Sequence, residues 1–120
     1  MAEEILTIAG VVTGAAEEEQ EYLLALCRAE QTALTRRLKE PLAEQDADAF
    51  VCAAAWLAAA DYYSGKGAGG AVSWKAGEVS VQEQDAAAYR AAAESLRTAA
   101  RQLAAPLVED GGFAVWGVKG

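Results

Sequence analysis

One stretch of the chain, residues 46–63, has apolar side chains on every side of a helical wheel. It reads DADAFVCAAAWLAAADYY, with alanines filling the gaps between larger residues. A helix of this kind has no face for water, and its length and tyrosine end do not suit a membrane span. We therefore predict a helix buried at the centre of a small domain or between subunits. Asp46 is its expected N-cap, and Ser64-Gly65 its expected stop.

Amphipathic patterns on both sides of that stretch predict two further long helices. The first runs from about residue 16 to residue 39, and its opening glutamates and closing basic residues suit the helix dipole. A short proline-containing connection follows, so this helix and the buried one should form an antiparallel pair. The second, residues 85–103, has one face of alanine and leucine and one charged face. A short helix over residues 2–9 precedes them, closed by a turn between Gly10 and Gly14.

Two further segments have the alternating pattern of strands. Residues 71–81, AVSWKAGEVSV, predict a β-hairpin, and residues 113–118 predict a strand that pairs with the hairpin or with a neighbouring copy. The run 64–70, SGKGAGG, predicts a mobile tether, because it lacks the residue order of a phosphate-binding loop. The expected fold class is therefore mainly α (α+β). A single domain over residues 1–120 would contain an antiparallel bundle of three main helices, a short N-terminal helix, a small β-hairpin and a C-terminal strand.

Composition narrows the functions that such a fold could serve. A net charge of −8 argues against general affinity for nucleic acid or an anionic membrane. There is no histidine, and the two cysteines, Cys27 and Cys52, are expected to be buried reduced thiols. The usual zinc ligand sets and the commonest general base are therefore missing. We expect no cofactor, no metal and no small-molecule substrate, and the lack of a signal-peptide pattern predicts a cytoplasmic protein.

Charge is distributed unevenly along the chain. Residues 1–21 contain six glutamates and no basic residue, whereas residues 86–108 contain three arginines and one glutamate. Ends of opposite sign suit head-to-tail contact between copies, and ordinary solvated faces are the alternative. Glu30 and Arg37 project from the apolar arc of the first long helix, either at the rim of the bundle or in a subunit contact. The candidate oligomer or partner contacts are Glu30, Arg37, Trp74, Glu78, Arg90, Arg97, Arg101 and Trp116.

Three stretches within residues 3–81 carry a resemblance to a known family: EEEQEYLLALCRAEQTAL, DAFVCAAAWLAAADYYSGKG and AGEVSV. They resemble the head-tail connector, or neck adaptor, proteins of tailed bacteriophages and prophages. The resemblance implies a helical protein that forms a homo-oligomeric ring between portal and tail proteins, through which DNA passes without sequence-specific binding. It also implies that the glycine-rich run and the hairpin reach neighbouring rings. The protein would occupy the host cytoplasm during assembly and then the virion neck.

Two other classes of function remain open. A bacterial cytoplasmic adaptor or regulator would bind a partner through Trp74, Trp116 and the arginines of the last helix. An enzyme would use Glu30, Asp61 or Glu78 as an acid or base, but the sequence has no placed nucleophile, metal set or second carboxylate at a recognisable spacing from them. We therefore expect a structural assembly protein without catalytic activity.

Overall fold

The computed structural model describes residues 1–70 and 79–109, and this part of the chain is mainly helical. It contains helices α1 (Ala2–Thr13), α2 (Gln20–Arg37), α3 (Ala47–Gly70) and α4 (Val79–Ala104). Short 3-10 turns precede two of them, Glu17–Glu19 before α2 and Glu44–Asp46 before α3. The mainly α part of the predicted fold class is confirmed.

Helix α3 lies at the centre of the described part of the chain. It packs against α1, α2 and α4, and most of its buried residues are alanines. Small side chains let neighbouring helix axes approach closely, because the distance between two packed helices depends on the side chains at their contact. The prediction of a buried central helix is confirmed. Its buried residues are Phe50, Val51, Ala53, Ala54, Ala55, Ala58, Ala59, Ala60 and Tyr62.

Contacts along α3 fix the direction of its neighbours. Near the end of α3, Tyr62 contacts Glu19 just before α2 begins, so α2 runs antiparallel to α3 as predicted. Helix α4 is also antiparallel, because Tyr63 stacks on Tyr89 whereas the earlier residue Asp61 meets Arg97. Helices α2 and α4 therefore run in the same direction on α3.

Backbone pairing ties the end of α2 to the segment that follows α4. The Lys39 N–H donates to the Leu107 carbonyl at 3.1 Å, and the Glu109 N–H donates to the Arg37 carbonyl at 3.0 Å. Between them, Leu38 and Val108 form an isolated antiparallel bridge. The pairing holds the C-terminal ends of α2 and α4 side by side.

Three helices extend further than the sequence predicts, and α4 begins at Val79 rather than at residue 85. Helix α1 continues through Gly10 to Thr13, so the turn predicted between Gly10 and Gly14 is wrong. Gly14 caps this helix with a φ of 66°, the left-handed conformation that glycine adopts easily. Helix α3 does not end at Ser64-Gly65 but continues to Gly70, so the run predicted to be a tether is helical. A Cβ on Gly65 would lie 2.9 Å from the Tyr22 hydroxyl oxygen. Glycine thus permits a close approach to α2, and we attribute the longer helix to packing that outweighs the cost of about 1 kcal/mol for a helical glycine.

The β elements of the expected fold are not confirmed. Residues 79–81, the end of the predicted hairpin, form the first turn of α4, so the prediction of a strand there is wrong. Strand preferences span only about 1 kcal/mol, and propagation of a long helix outweighs them. Residues 71–78 and 113–118, which hold the rest of the hairpin and the C-terminal strand, lie outside the described residues.

The two cysteines, Cys27 and Cys52, differ in burial. Cys27 is buried in the core, where desolvation raises the pKa of its thiol to about 11, and Cys52 is half-buried. Cys27 therefore acts as a small apolar residue.

Among the described residues, no helix combines the length and the apolar character needed to cross a membrane.

Candidate functional site

A groove runs between α2 and α4, and α3 forms its floor. It contains a cavity of about 230 Å³ to which each of the three helices contributes charged side chains. We call this site the carboxyl–arginine groove. Its lining residues are Glu30, Ala33, Leu34 and Arg37 from α2, Leu57 and Asp61 from α3, and Arg97 and Arg101 from α4.

Asp61 and Arg97 form an ion pair on the floor of the groove. Arg97 Nη2 lies 3.5 Å from Asp61 Oδ1. The Arg97 side chain is 27% exposed and the Asp61 side chain 29%. The same nitrogen donates a 2.8 Å hydrogen bond to Ser64 Oγ. Asp61 and Ser64 lie about one turn apart on α3, so a single guanidinium joins both of them to α4.

Glu30 adds a second carboxyl group to the groove. The pKa of Glu30 is raised to about 8. Burial is the largest cause, and a hydrogen bond with Asp61 and the negative charge of Asp61 act in the same direction. The positive charges of Arg97 and Arg37 act in the opposite direction. These effects favour the neutral form of Glu30, which in that form can donate its O–H to Asp61. Desolvation and like charge thus oppose ionisation of Glu30 beside Asp61.

The groove has an excess of positive charge. Three arginines, Arg37, Arg97 and Arg101, line it with two carboxyl groups, and burial favours the neutral form of one of them, Glu30. The chain as a whole carries −8, so the groove is opposite in sign to the protein around it. Leucine and alanine side chains form the remaining walls, and low-polarity walls strengthen electrostatic interactions. An anionic group is therefore the ligand chemistry that the groove suits.

A second polar cluster joins the last part of α3 to the turn before α2. The Tyr62 hydroxyl donates a 2.6 Å hydrogen bond to Glu19 Oε1, and Lys66 Nζ lies 3.1 Å from Glu19 Oε2. The hydrogen bond from Tyr62 lowers the pKa of Glu19, with smaller contributions in the same direction from Lys66, while burial raises the pKa of Tyr62. Lys66 Nζ also lies 5.5 Å from the centre of the Tyr62 ring.

Two further tyrosines extend this second cluster to α1 and α4. The Tyr63 hydroxyl donates to the Val12 carbonyl at 3.0 Å, and the Tyr63 ring stacks on Tyr89 with centroids 5.7 Å apart and planes 17° apart. We call the set of Glu19, Tyr62, Tyr63, Lys66 and Tyr89 the tyrosine cluster. Its polar contacts join α1, α3, α4 and the turn before α2, so its role is structural.

The turn before α2 also presents an acidic surface. Glu17, Glu18 and Glu21 are exposed, whereas Glu19 is directed toward Tyr62 and Lys66. Glu19 Oε1 also accepts a 3.3 Å hydrogen bond from the backbone N–H of Ala16. These contacts fix the turn while leaving its other carboxylates toward solvent. We call Glu17, Glu18 and Glu21 the acidic edge.

The structure brings together half of the residues singled out in the sequence. Glu30, Arg37, Arg97 and Arg101 meet in the groove, although the sequence placed the last two on a separate charged face. Arg90 is exposed and lines a different cavity of about 470 Å³ on the α3–α4 side. The three others, Trp74, Glu78 and Trp116, lie outside the described residues.

The structure brings Glu30 and Asp61 together, although no recognisable spacing in the sequence joins these two acids. The antiparallel packing of α2 on α3 places the two acids in hydrogen-bond contact. Sequence reasoning named Asp61 only as an isolated acid and did not place it with the arginines. The available signal was the position of Asp61, a charge inside an otherwise apolar helix.

Among residues 1–70 and 79–109, no group of three or more histidine, cysteine, aspartate or glutamate side chains could hold a metal ion.

The chain matches no protein-family model, no curated protein and no solved structure.

Proposed function

We propose that the protein is a structural component of a phage or prophage neck, a head-tail connector that assembles into a homo-oligomeric ring between portal and tail proteins. The resemblance of three stretches within residues 3–81 motivates this function. The observation that supports it best is the carboxyl–arginine groove, because a positive groove on a protein of charge −8 suits an acidic protein surface.

The chemistry of the groove favours binding over catalysis. A protonated carboxyl such as Glu30 is a possible general acid, but its O–H is already donated to Asp61. Asp61 in turn pairs with Arg97, which also binds Ser64. The residues lining the cavity include no serine, threonine, cysteine or lysine that could act as a nucleophile. The groove thus has the groups to hold an anion.

The proposal assigns partners and a location. Portal and tail proteins contact the ring, and DNA passes through it without sequence-specific binding. The net charge of −8 is compatible with a duplex that slides, because tight DNA binding requires neutralisation of phosphates by clustered basic residues. Assembly takes place in the bacterial host cytoplasm, and the protein then resides in the virion neck.

The mass of the protein in solution tests the proposal. Light scattering coupled to size-exclusion chromatography, at several protein and salt concentrations, should give a closed multimer of fixed stoichiometry. Negative-stain electron microscopy of the same fraction should show annular particles. A monomer under every condition would contradict a ring that forms by self-association.

The alternative is a bacterial adaptor that receives an acidic partner in the same groove. An adaptor of this kind remains a monomer by itself and gains mass only when its partner is added. The mass measurement therefore separates the two functions.

A further inference from the structure

We infer that the carboxyl–arginine groove is one side of the subunit contact and that the acidic edge of a second copy occupies it. This inference rests on the proposed function, because it names the surfaces through which copies of the chain would join. The acidic edge supplies Glu17, Glu18 and Glu21 from one copy. The groove of the next copy supplies Arg37 and Arg101, which line its cavity from α2 and α4.

The first argument is complementarity of charge. Glu17, Glu18 and Glu21 are three exposed glutamates within five residues, across the 3-10 turn and the first turn of α2. Arginine and carboxylate form paired hydrogen bonds with defined geometry. Arg37 and Arg101 also interact within their own chain, but each guanidinium has five N–H donors and can add a carboxylate.

The second argument is that the two surfaces of one chain cannot meet. Helix α2 is continuous from Gln20 to Arg37, and the groove residues Glu30 and Arg37 lie about 15 and 25 Å along it from its first residue. The acidic edge is therefore held away from the groove of its own chain. A contact between them must join two copies in a head-to-tail manner, and contacts of this kind generate rings or open filaments.

The third argument is preorganisation of the acidic edge. The three contacts of Glu19, with Tyr62, Lys66 and the Ala16 N–H, fix the turn from which Glu17 and Glu18 project. A surface that is already ordered loses less entropy on binding. Exposed glutamates on a mobile segment would lack this advantage.

Charge reversal of the acidic edge tests the inference. The variant Glu17→Lys/Glu18→Lys/Glu21→Lys changes exposed side chains only and leaves Glu19 and the groove intact. We expect its subunit dissociation constant, measured by analytical ultracentrifugation, to rise at least about tenfold because like charges then face each other. The matched control is Glu3→Lys/Glu44→Lys/Asp48→Lys. It makes the same charge change at exposed positions in the first turns of other helices, and its dissociation constant should stay close to that of the wild-type protein.

A complementation experiment identifies the groove as the receiving surface. The variant Arg37→Glu, at an exposed position, should also assemble weakly, and circular dichroism should confirm that it keeps its helix content. Mixed with the triple-lysine variant, it should assemble more strongly than either variant alone, because every contact between the two kinds of subunit joins opposite charges.

The outcomes separate the two proposals. If the wild-type protein assembles and the triple-lysine variant assembles equally well, the contact lies elsewhere and this inference is wrong, while the proposed ring stands. A mixture that assembles no better than its components also contradicts the inference. If the wild-type protein is a monomer under every condition, both the inference and the proposed function fail.

Discussion

Glu19 and Glu30 both contact α3 from the side of α2, but their neighbours shift their pKa values in opposite directions. In the tyrosine cluster, hydrogen bonds from Tyr62 and Lys66 favour the charged form of Glu19 and lower its pKa. In the groove, burial and the carboxyl group of Asp61 favour the neutral form of Glu30 and raise its pKa to about 8. Hydrogen-bond donors stabilise the charged form of a carboxyl group, whereas a neighbouring carboxylate stabilises its protonated form.

The two regions also differ in their proportion of acidic and basic side chains. Each oxygen of Glu19 has a partner, with Tyr62 at 2.6 Å and Lys66 at 3.1 Å. The groove has three arginines and two carboxyl groups around a cavity of about 230 Å³, and burial favours the neutral form of Glu30. The contacts of Glu19 stabilise the fold, whereas a cavity lined by several arginines suits an anion. We therefore expect substitutions to separate stability from assembly.

The largest expected effect on stability is that of Asp61→Ala. It leaves the guanidinium of Arg97, which is about three-quarters buried, without its carboxylate, and removes the acceptor for the Glu30 proton. Breaking a well-buried pair costs roughly 3 to 5 kcal/mol, and partial exposure reduces this to about 2 to 3 kcal/mol. Urea denaturation at neutral pH measures the change. Asp61→Asn is the matched control, because its amide oxygen can still accept a hydrogen bond, and an equal loss in both variants would contradict this account.

Next in size is the effect of Tyr62→Phe, which removes the hydroxyl that binds Glu19 and keeps the buried ring. Hydrogen bonds to charged groups contribute about 1.5 to 3 kcal/mol, so we expect a loss of about 2 kcal/mol at neutral pH. The pKa of Glu19 is lowered in the folded state, so its contribution to stability is present above its unfolded pKa, near 4.5, and declines as the pH falls through the folded pKa.

The pH dependence of stability below about pH 4.5 tests whether the hydrogen bond from Tyr62 lowers the pKa of Glu19. Tyr62→Phe should lose less stability than the wild-type protein on acidification below about pH 4.5, because its Glu19 pKa is closer to the unfolded value. Tyr63→Phe is the control within the same cluster: it removes a hydrogen bond to the Val12 carbonyl and leaves Glu19 unaffected. Parallel profiles for Tyr62→Phe and the wild-type protein would show that this hydrogen bond does not lower the pKa of Glu19.

Local pattern was sufficient to predict the helical part of the fold and insufficient for its polar clusters. Residues 46–63 predicted a central helix because helical periodicity is a property of neighbouring residues. The pairing of Glu30 with Asp61, by contrast, depends on the register of α2 against α3, which no local pattern records. Sequence reasoning therefore found four of the five charged residues of the groove but assigned them to separate faces. It named Asp61, the fifth, only as an isolated acid and did not place it with the other four.

Small local preferences account for the wrong element boundaries. The glycines of residues 64–70 and the valines at 79 and 81 favour turns or strands by about 1 kcal/mol each. The contacts of Lys66 and the close approach at Gly65 act over longer range and favour continuation of α3 beyond Ser64. Tertiary contacts outweighed propensity at these positions, and the sequence does not show those contacts.

The Glu30→Gln substitution tests the proton held in the groove. The pKa of Glu30 is raised in the folded state, so its contribution to stability is complete below the unfolded value, near 4.5, and is lost as the pH rises to about 8. Glutamine mimics the protonated acid at all pH values. The wild-type protein should therefore lose about 1 to 2 kcal/mol more stability than Glu30→Gln between pH 6 and pH 9, after allowance for solvent screening.

The Glu30 comparison has a control on the same helix. Gln31→Glu places an additional carboxyl beside Glu30 in sequence but on another side of α2. We expect its stability between pH 6 and pH 9 to follow the wild-type profile. If Glu30→Gln also follows that profile, the carboxyl pair does not hold a proton at neutral pH, and the excess charge of the groove is smaller than described.

The smallest expected effect is that of Gly65→Ala, which tests whether position 65 is helical and lies close to Tyr22. Alanine gains about 1 kcal/mol in helix propensity, but its Cβ would lie 2.9 Å from the Tyr22 hydroxyl oxygen. That oxygen is at the end of a half-exposed side chain and can move, so the net gain in stability should be below about 1 kcal/mol. In a Tyr22→Phe background the conflicting oxygen is absent, and Gly65→Ala should give the full gain. Thermal unfolding of the four proteins in this cycle measures the difference. If Gly65→Ala lowers stability even in the Tyr22→Phe background, position 65 is not helical.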